Sequence, residues 1–365
     1  MANESVLKTI HPSDVKDLKF LIDSTRPNAV PEAYIQPLKY RPAKSDRASS
    51  TRHDTIPVVD LAKLKNGLRQ DVISAIGSAC EEWGFFQIIN HGFSPLTGQR
   101  MLEATEKFFN LPVEDRMAYF SLDMTKPLRY GTSHNPTYDS ALQWRDYMYL
   151  PCKLAEENVQ TWPAVYRKEA LDYVKEMNNL KEMLLELMSE SLHLAPSTLR
   201  NVLGPDMLHN MVLNYYPACP QPDLTIGFRE HSDKSTITIL LQDGIGGLEV
   251  HHKDCWVPLQ PLKDALLVNL GDVMEILSNG RYKSIAHRVT VNSNSKRLSI
   301  GSFYNVAYNA IIAPLPHCVD ETHPLAFKEV MFMDFFKKFV SRDLDGKNAL
   351  DYVRITSMEE PYSSK

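Results

Sequence analysis

Apolar residues recur with two different periods along the chain, and the period changes near residue 210. Before that point, spacings of three and four residues predict amphipathic helices, over residues 70–83, 96–109 and 165–193. After it, short runs rich in branched and aromatic residues alternate with Gly-containing turns, a pattern that predicts strands. Many short strands divided in this way are typical of a double-sheet jelly roll, which encloses a cavity between its sheets.

The predicted strands after the change of period are residues 211–216, 235–241, 247–251, 255–258, 266–270, 282–291 and 297–305. Two earlier strands are predicted over residues 56–61 and 84–92. Residues 126–150 are rich in aromatic and polar side chains without a sustained period, so we interpret them as a loop-and-strand segment that can line a cavity. Apolar spacing returns to the helical period over residues 327–352.

These patterns predict a mixed α/β fold: a double-stranded β-helix (jelly-roll) core with an α-helical N-terminal cap and a C-terminal helix. The expected regions are an N-terminal extension and linker, a mainly helical region, the jelly-roll core and a C-terminal helical segment, over residues 1–54, 55–209, 210–326 and 327–365. The charged stretch 41–54 is the expected flexible linker.

Composition narrows the classes of function. A formal net charge of −5 over 365 residues offers no basic field for nucleic acid or an anionic membrane. No apolar run approaches the roughly 18 residues that a membrane span needs, and five scattered cysteines without a CxxC pair suggest neither disulfides nor zinc. We therefore expect a monomeric cytoplasmic protein that acts on a small molecule and binds neither nucleic acid nor membrane.

A candidate metal site begins at His231-Ser232-Asp233, just before a predicted strand. Residues two apart on an extended chain point the same way, so the imidazole and the carboxylate can converge on one ion. His287, on another predicted strand, offers a second imidazole. Two imidazoles and one carboxylate suit non-haem Fe(II) and leave positions open for dioxygen. Alone, His-x-Asp also occurs by chance as a capped turn or a surface pair.

A candidate anion site lies on the strand that carries Arg297 and Ser299, again two residues apart. An interior guanidinium needs an anionic partner, and Arg can bind a carboxylate through two parallel hydrogen bonds. A dicarboxylate co-substrate would supply that partner, although an acidic residue from elsewhere could also reach it. Asn214 and Tyr216 could join the same cavity, or be ordinary buried polar groups bonded to backbone.

Motifs along most of the chain resemble, in order and spacing, the plant 2-oxoglutarate/Fe(II)-dependent dioxygenases, the family of anthocyanidin synthase and flavonol synthase. The motifs are Ile56-Pro57-Val58-Val59-Asp60-Leu61, Trp83-Gly84-Phe85-Phe86-Gln87, Asn214-Tyr215-Tyr216-Pro217, His231-Ser232-Asp233, Asn269-Leu270-Gly271-Asp272, His287-Arg288-Val289 and Arg297-Leu298-Ser299. Within the family, Tyr130-Gly131-Thr132-Ser133 and Gln143-Trp144-Arg145-Asp146-Tyr147 look most like the feruloyl-CoA ortho-hydroxylase and scopoletin hydroxylase branch.

The resemblance implies Fe(II) bound by His231, Asp233 and His287, and 2-oxoglutarate bound through Arg297 and Ser299 with help from neighbouring side chains. The co-substrate and O2 would be converted to succinate and CO2, with ascorbate as the reductant in vitro. The expected further contacts are Tyr216 and Asn214 for 2-oxoglutarate, and Phe303, Tyr130 and His134 for the aromatic substrate. For Phe303 simple core packing, and for His134 a solvated loop position, are the competing interpretations.

The expected reaction is ortho-hydroxylation of a hydroxycinnamoyl-CoA or hydroxylation of a coumarin in plant specialised metabolism. The same iron chemistry on an alkaloid or a flavonoid, with hydroxylation, O-demethylation, desaturation or ring closure, is the alternative. A non-catalytic jelly-roll protein that binds a small ligand is an alternative of another class, and it would be expected to lack one of the ligands or the Arg297 and Ser299 pair.

Overall fold

The computed structural model describes residues 17–42, 55–134, 140–153, 155–340 and 348–355, so most of the predicted linker lies outside the described residues. The helices are α1 (Leu18–Thr25), α2 (Arg69–Glu82), α3 (Pro95–Phe109), α4 (Val113–Met117), α5 (Ala155–Asn158), α6 (Arg167–Ser191), α7 (Thr198–Leu203), α8 (Asp272–Leu277), α9 (Phe332–Val340) and α10 (Asn348–Asp351). Among the described residues, no helix is both long enough and apolar enough to cross a membrane.

The strands are β1 (Val58–Asp60), β2 (Phe85–Ile89), β3 (Arg129–Thr132), β4 (Asp146–Pro151), β5 (Leu208–Tyr216), β6 (Phe228–His231), β7 (Ile237–Gln242), β8 (Leu248–His252), β9 (Cys255–Pro258), β10 (Leu266–Leu270), β11 (His287–Val289), β12 (Arg297–Asn305), β13 (Ile311–Ile312) and β14 (Val330–Met331). An eight-stranded sheet has the order β1-β2-β10-β7-β12-β5-β4-β3, and a four-stranded sheet has the order β6-β11-β8-β9. These two sheets face each other and form the predicted jelly roll.

Side-chain alternation on the central strands separates an apolar outer face from a polar inner face. On β12, Leu298 and Ile300 join the core between the large sheet and the helices, whereas Arg297 and Ser299 line the cavity between the sheets. Strand β5 pairs with β12 along its whole length, with Tyr216 opposite Arg297. The register therefore brings polar side chains from two strands to one part of the cavity.

Helices α2, α3 and α6 cover the outer face of the large sheet. Helix α6 buries Tyr173, Met177 and Leu184 at helical spacing, which accounts for its length and position. Two residues after α2 comes Gly84, whose φ of +58° is strained for any residue with a Cβ atom. A Cβ at Gly84 would lie 2.1 Å from the Lys283 carbonyl oxygen, so the close approach of two chain segments also requires glycine there.

Residues 17–42 pack against strand β4. The Asp146 carboxylate accepts hydrogen bonds from the backbone N–H groups of Leu18 (3.1 Å) and Lys19 (2.7 Å), at the N-terminus of α1. Asp17, the N-cap of that helix, pairs with the buried Arg116 guanidinium at 2.8 Å. The N-terminus of α1 thus donates two hydrogen bonds to a buried carboxyl group.

Several elements differ from the sequence predictions, among them strand β6, which was not predicted. The strand predicted over residues 282–291 is present only as β11, because Ser284 is held by side chains of α8: its N–H donates to Glu275 (2.7 Å) and its hydroxyl to Asp272 (2.7 Å). Helix α8 was not predicted, since all six of its residues are buried and no polar face marks a period. The helix predicted over residues 327–352 is present in part, as α9 and α10.

Candidate active site

Three side chains meet in the cavity, next to strands β6 and β11 of the four-stranded sheet. His231 ends β6, His287 begins β11, and the two residues are paired in register. Asp233 follows two residues after His231, and its Oδ1 lies 3.7 Å from His231 Nε2 and 3.8 Å from His287 Nε2. The three ligand atoms all lie within 4.8 Å of one another, and the three residues are buried. One ion can contact all three atoms.

Hydrogen bonds to backbone fix which imidazole nitrogen is available for a metal. His231 Nδ1 lies 2.8 Å from the Arg229 carbonyl oxygen, and His287 Nδ1 lies 3.1 Å from the Ile285 carbonyl oxygen. A carbonyl can only accept, so each Nδ1 carries the proton and donates. Each Nε2 is left with a lone pair directed at the shared point, the tautomer that a metal ligand needs.

The Asp233 carboxylate is oriented by two donors on the large sheet. Its Oδ2 accepts hydrogen bonds from the Thr238 hydroxyl (2.8 Å) and from Asn269 Nδ2 (2.8 Å). The other oxygen, Oδ1, is the one that faces both imidazoles. Two donors on one oxygen hold the carboxylate plane and leave its partner oxygen for an ion.

The protonation states suit a cation site. Burial, with the neighbouring His287, lowers the pKa of His231 to about 3, so this imidazole is neutral at physiological pH. Burial by itself would raise the pKa of Asp233, but His287, His231 and the two hydrogen-bond donors outweigh it, and the pKa is lowered. Two imidazole nitrogens and one carboxylate oxygen form the donor set that suits Fe(II) in oxygenases, with the remaining positions open.

A buried guanidinium lies on the inner face of the large sheet. Arg297 is 2% exposed. Its described hydrogen bonds go to three neutral oxygens, those of Gln242 (2.7 Å), Ser299 (3.2 Å) and the Ile245 carbonyl (3.2 Å). The Tyr216 ring centroid lies 5.2 Å from the guanidinium carbon. The positive charge is held in place by neutral groups and can still bind an anion.

Asn214 links this guanidinium to a second one. Its Nδ2 lies 3.5 Å from the Ser299 hydroxyl, which in turn accepts from Arg297, and its Oδ1 accepts from Arg145 at 3.2 Å. All four of these residues line the same cavity. Asn214 is thus a polar bridge between Arg297 and the far wall.

The cavity between the sheets has a volume of about 590 Å³ and includes all three candidate metal ligands. Phe303 lines it, and the ring folds over Gly301, where a Cβ would lie 2.8 Å from the ring. His134 also lines it, with its ring centroid 5.3 Å from that of Phe228, and burial lowers its pKa well below the usual value. Both residues lie where a substrate contact was expected.

Tyr130 is the exception among the predicted cavity residues. It is fully buried, and its ring packs against Phe108 and Phe109 on the helical side of the sheet. The expected substrate contact is therefore corrected to a core position. Alternation on β3 points its neighbour Arg129 into the cavity instead.

Several polar residues around the site were not singled out from the sequence. Asn269 and Gln242 reach the site through strand pairing, whereas Thr238 lies five residues after Asp233. Arg129 and Arg145 line the cavity from the segment 126–150. The aromatic and polar composition of that segment was the only signal for Arg129, and Arg145 was named only as part of the motif Gln143-Trp144-Arg145-Asp146-Tyr147. Lys234 also lines it, and burial together with Arg129 lowers its pKa to about 8.

This combination of fold and site defines a class of enzyme, the iron dioxygenases that use 2-oxoglutarate. Residues 208–306 match the family described as "2OG-Fe(II) oxygenase superfamily". Residues 56–170 match the family described as "non-haem dioxygenase in morphine synthesis N-terminal". The chain belongs to the 2OG-Fe(II) oxygenase superfamily. It is a 2-oxoglutarate-dependent dioxygenase with Fe(II), 2-oxoglutarate and O2 as cofactor and co-substrates, as predicted.

Several similar proteins come from plants. Protein DMR6-LIKE OXYGENASE 1 of Arabidopsis thaliana is 38% identical over 326 residues, which is 88% of this chain and 93% of that protein. Feruloyl CoA ortho-hydroxylase 1 of Arabidopsis thaliana is 37% identical over 339 residues, 92% of each. The crystal structure of JOX2 in complex with 2OG, Fe and JA covers 94% of this chain and 98% of its own, with 30% identity and a TM-score of 0.82. The predicted family and jelly-roll fold are confirmed.

Proposed function

We propose that this dioxygenase hydroxylates an aromatic small molecule, with His231, Asp233 and His287 as the iron ligands. The observation that carries the proposal is the common point faced by two imidazole Nε2 atoms and one carboxylate oxygen. Hydrogen bonds use up the opposite atom of each ligand, so the three remaining lone pairs have no other evident function. Bound iron would supply dioxygen activation, and the chain supplies orientation and a cavity that excludes water.

We further propose that Arg297 and Ser299 bind the distal carboxylate of 2-oxoglutarate, with Tyr216 and Asn214 beside them. A planar guanidinium on a buried strand can bind a carboxylate through two parallel hydrogen bonds. The neutral groups that surround Arg297 orient its donors without neutralising the charge. 2-Oxoglutarate, with a carboxylate at each end, would then lie between the Arg297 guanidinium and the metal site within one cavity.

For the substrate, we propose a hydroxycinnamoyl-CoA or a coumarin first. The similarity to proteins named feruloyl CoA ortho-hydroxylase, at 36–39% identity, supports this class. A flavonoid is the second candidate, because a relative named Flavanone 3-dioxygenase 2 from rice is 35% identical over 338 residues. We propose a monomer that works in the cytoplasm, where the five free cysteines would remain reduced.

Succinate formation is the test of the reaction. Purified protein with Fe(II), ascorbate and 2-oxoglutarate is given hydroxycinnamoyl-CoA thioesters, coumarins, flavanones and alkaloids in turn, and succinate and product mass are measured. We expect succinate formation that depends on the substrate, and a product about 16 Da heavier than the substrate, the mass of one inserted oxygen atom. Turnover retained in His287→Ala would contradict the ligand assignment. His317→Ala, an exposed histidine, is the matched control and should retain full activity.

Arg297→Gln tests the co-substrate assignment separately. A hydrogen bond to a charged group contributes about 1.5–3 kcal/mol, so the Kd for 2-oxoglutarate should rise by about 10- to 100-fold. Arg297→Lys keeps the charge but loses the planar guanidinium, so its Kd for 2-oxoglutarate should lie between those of wild type and Arg297→Gln. An unchanged Kd in Arg297→Gln, measured by calorimetry on Mn(II)-loaded protein, would refute this role.

A further inference from the structure

Two arginines lie in the wall of the cavity without any role in the site described so far. Arg129 is on β3 and Arg145 immediately precedes β4, and these two strands form one edge of the large sheet. They are only 6% and 4% exposed, and both line the cavity. Alternation on β4 places Arg145 and Tyr147 on the cavity face, while Asp146 faces α1.

Their hydrogen bonds use only part of each guanidinium. Arg129 donates to the Lys126 carbonyl (2.9 Å), and Arg145 donates to Asn214 Oδ1 (3.2 Å) and the Ser133 carbonyl (2.9 Å). The Nε atom of each is buried without a hydrogen-bond partner in the described part of the chain. Within that part, no carboxylate forms an ion pair with either of them.

Two other buried arginines of this chain each pair with a carboxylate. Arg116 pairs with Asp17 at 2.8 Å, and Arg288 pairs with Glu249 at 2.8 Å. Removing a cation from water is costly unless a counter-charge or hydrogen bonds compensate for it. Arg116 and Arg288 thus each have a counter-ion, whereas the described residues provide none for Arg129 and Arg145.

Aromatic rings compensate for part of that cost. The Arg129 guanidinium lies 4.0 Å from the Tyr149 ring centroid, and that of Arg145 lies 4.0 Å from Phe228. Both also contact Tyr147, at 6.0 Å and 5.0 Å. A Cβ at residue 131 would lie 3.0 Å from the Tyr147 hydroxyl, so Gly131 makes room for that ring. A ring face stabilises the positive charge, but it leaves the N–H groups in the plane of the guanidinium without an acceptor.

We propose that the substrate carries a free carboxylate, which Arg129 and Arg145 bind, while its apolar or aromatic body packs on Tyr147, Phe228 and Phe303 towards the metal ligands. This inference rests on the proposed iron and 2-oxoglutarate sites, and it replaces the hydroxycinnamoyl-CoA, coumarin and flavonoid candidates, which have no free carboxylate, with an aromatic or apolar carboxylic acid as the substrate class. It selects, among aromatic substrates, those with an ionised acid group, and it ranks a free acid above its ester or thioester. The acid would supply the counter-charge that the wall lacks.

Matched acids and esters test the proposal by binding. Kd values are measured by calorimetry on protein loaded with Mn(II) and 2-oxoglutarate, for benzoate, cinnamate, ferulate and 2-naphthoate, each against its methyl ester, and for feruloyl-CoA. We expect at least one acid to bind about 10-fold more tightly than its ester, the ratio expected for charge-assisted hydrogen bonds. If no acid in the panel binds better than its ester, or feruloyl-CoA binds better than ferulate, the proposal is wrong.

Variants assign the preference to the two arginines. Arg129→Gln and Arg145→Gln should each reduce the acid-to-ester ratio towards one, and Arg129→Lys should restore part of it. Arg200→Gln removes one exposed arginine and should keep the ratio, which excludes a general charge effect. Thermal unfolding shows whether each variant is folded, and the ester, which needs no counter-charge, should still bind to the folded variants. A ratio that persists in both glutamine variants would overturn the assignment.

The same titrations separate this inference from the proposed function. Loss of 2-oxoglutarate affinity in Arg145→Gln, with the acid-to-ester ratio kept, would assign Arg145 to the co-substrate carboxylate and refute its role with substrate. Failure of wild-type protein to bind 2-oxoglutarate with Mn(II) would contradict the proposed function itself. Normal 2-oxoglutarate binding without a preference for acids would contradict only the inference.

Discussion

Replacement of Thr238 by valine tests how the fold prepares a metal ligand. The Thr238 hydroxyl donates to Asp233 Oδ2 at 2.8 Å and also contacts the Ser235 hydroxyl at 2.8 Å. Valine has nearly the same shape, so Thr238→Val removes a hydrogen bond and little volume. Asn269 still donates to the same carboxylate oxygen. Asp233 would remain in place but would be held by one donor instead of two.

The expected magnitude follows from the charge on Asp233. A hydrogen bond to a charged group contributes about 1.5–3 kcal/mol, and loss of such a partner behind a metal ligand lowers affinity by about 10- to 100-fold. Thr238 is also one of the groups that lower the pKa of Asp233. Its loss should raise that pKa, so the defect in metal affinity should grow as the pH falls, because protons then compete better for the carboxylate.

Calorimetric titration of the apoprotein with Mn(II) at two pH values measures both effects. Thr236→Val is the control, since its buried hydroxyl has no hydrogen-bond partner among the described residues, and its loss should leave metal affinity unchanged. An affinity of Thr238→Val within about twofold of wild type would show that this hydroxyl does not hold the ligand. Equal losses in the two variants would point to a general packing defect.

Three further predictions concern the scaffold. Gly271→Ala would place a Cβ 2.1 Å from the Ser235 carbonyl oxygen, and should sharply lower both Mn(II) affinity in calorimetry and the melting temperature. Arg116→Met leaves Asp17 buried without its cation, so the free energy of unfolding in urea should fall by about 3–5 kcal/mol. Burial beside Asp17 raises the pKa of Asp146 to about 7, so the folded chain keeps a proton that the unfolded chain releases above about pH 4. The free energy of unfolding of wild type, relative to that of Asp146→Asn, should therefore fall as the pH rises from 4 to 7. A difference that does not change with pH would contradict this.

Sequence periodicity was sufficient where one residue spacing decides the outcome. The two-residue spacing of His231 and Asp233, and that of Arg297 and Ser299, predicted side chains on one face, and the structure brings each pair into the cavity. The long helix α6 was predicted within two residues of each observed end, because its apolar face repeats over many turns. These features depend on local geometry, which one strand or helix determines alone.

Features that depend on pairing between distant segments could not be predicted in this way. Tyr130 was expected to contact substrate, but the register of β3 against β4 gives that direction to Arg129. Asn269, 36 residues after Asp233, becomes its partner only once β10 pairs with β7. The short helix α8 has no exposed side to reveal its period. In each case a long-range contact decides, and one sequence carries no record of it.

The docking of α1 on strand β4 has a practical consequence for anyone who shortens this protein. The family match begins at residue 56. The N–H groups of Leu18 and Lys19, which precede it, donate to the side chain of Asp146 on β4, the strand that also carries Tyr147. A version trimmed to that match would retain every candidate iron ligand while leaving Asp146 without those two amides. Its pocket wall would rest on an ionisable group in an apolar setting, so loss of turnover after trimming would be a poor guide to which residues perform the chemistry.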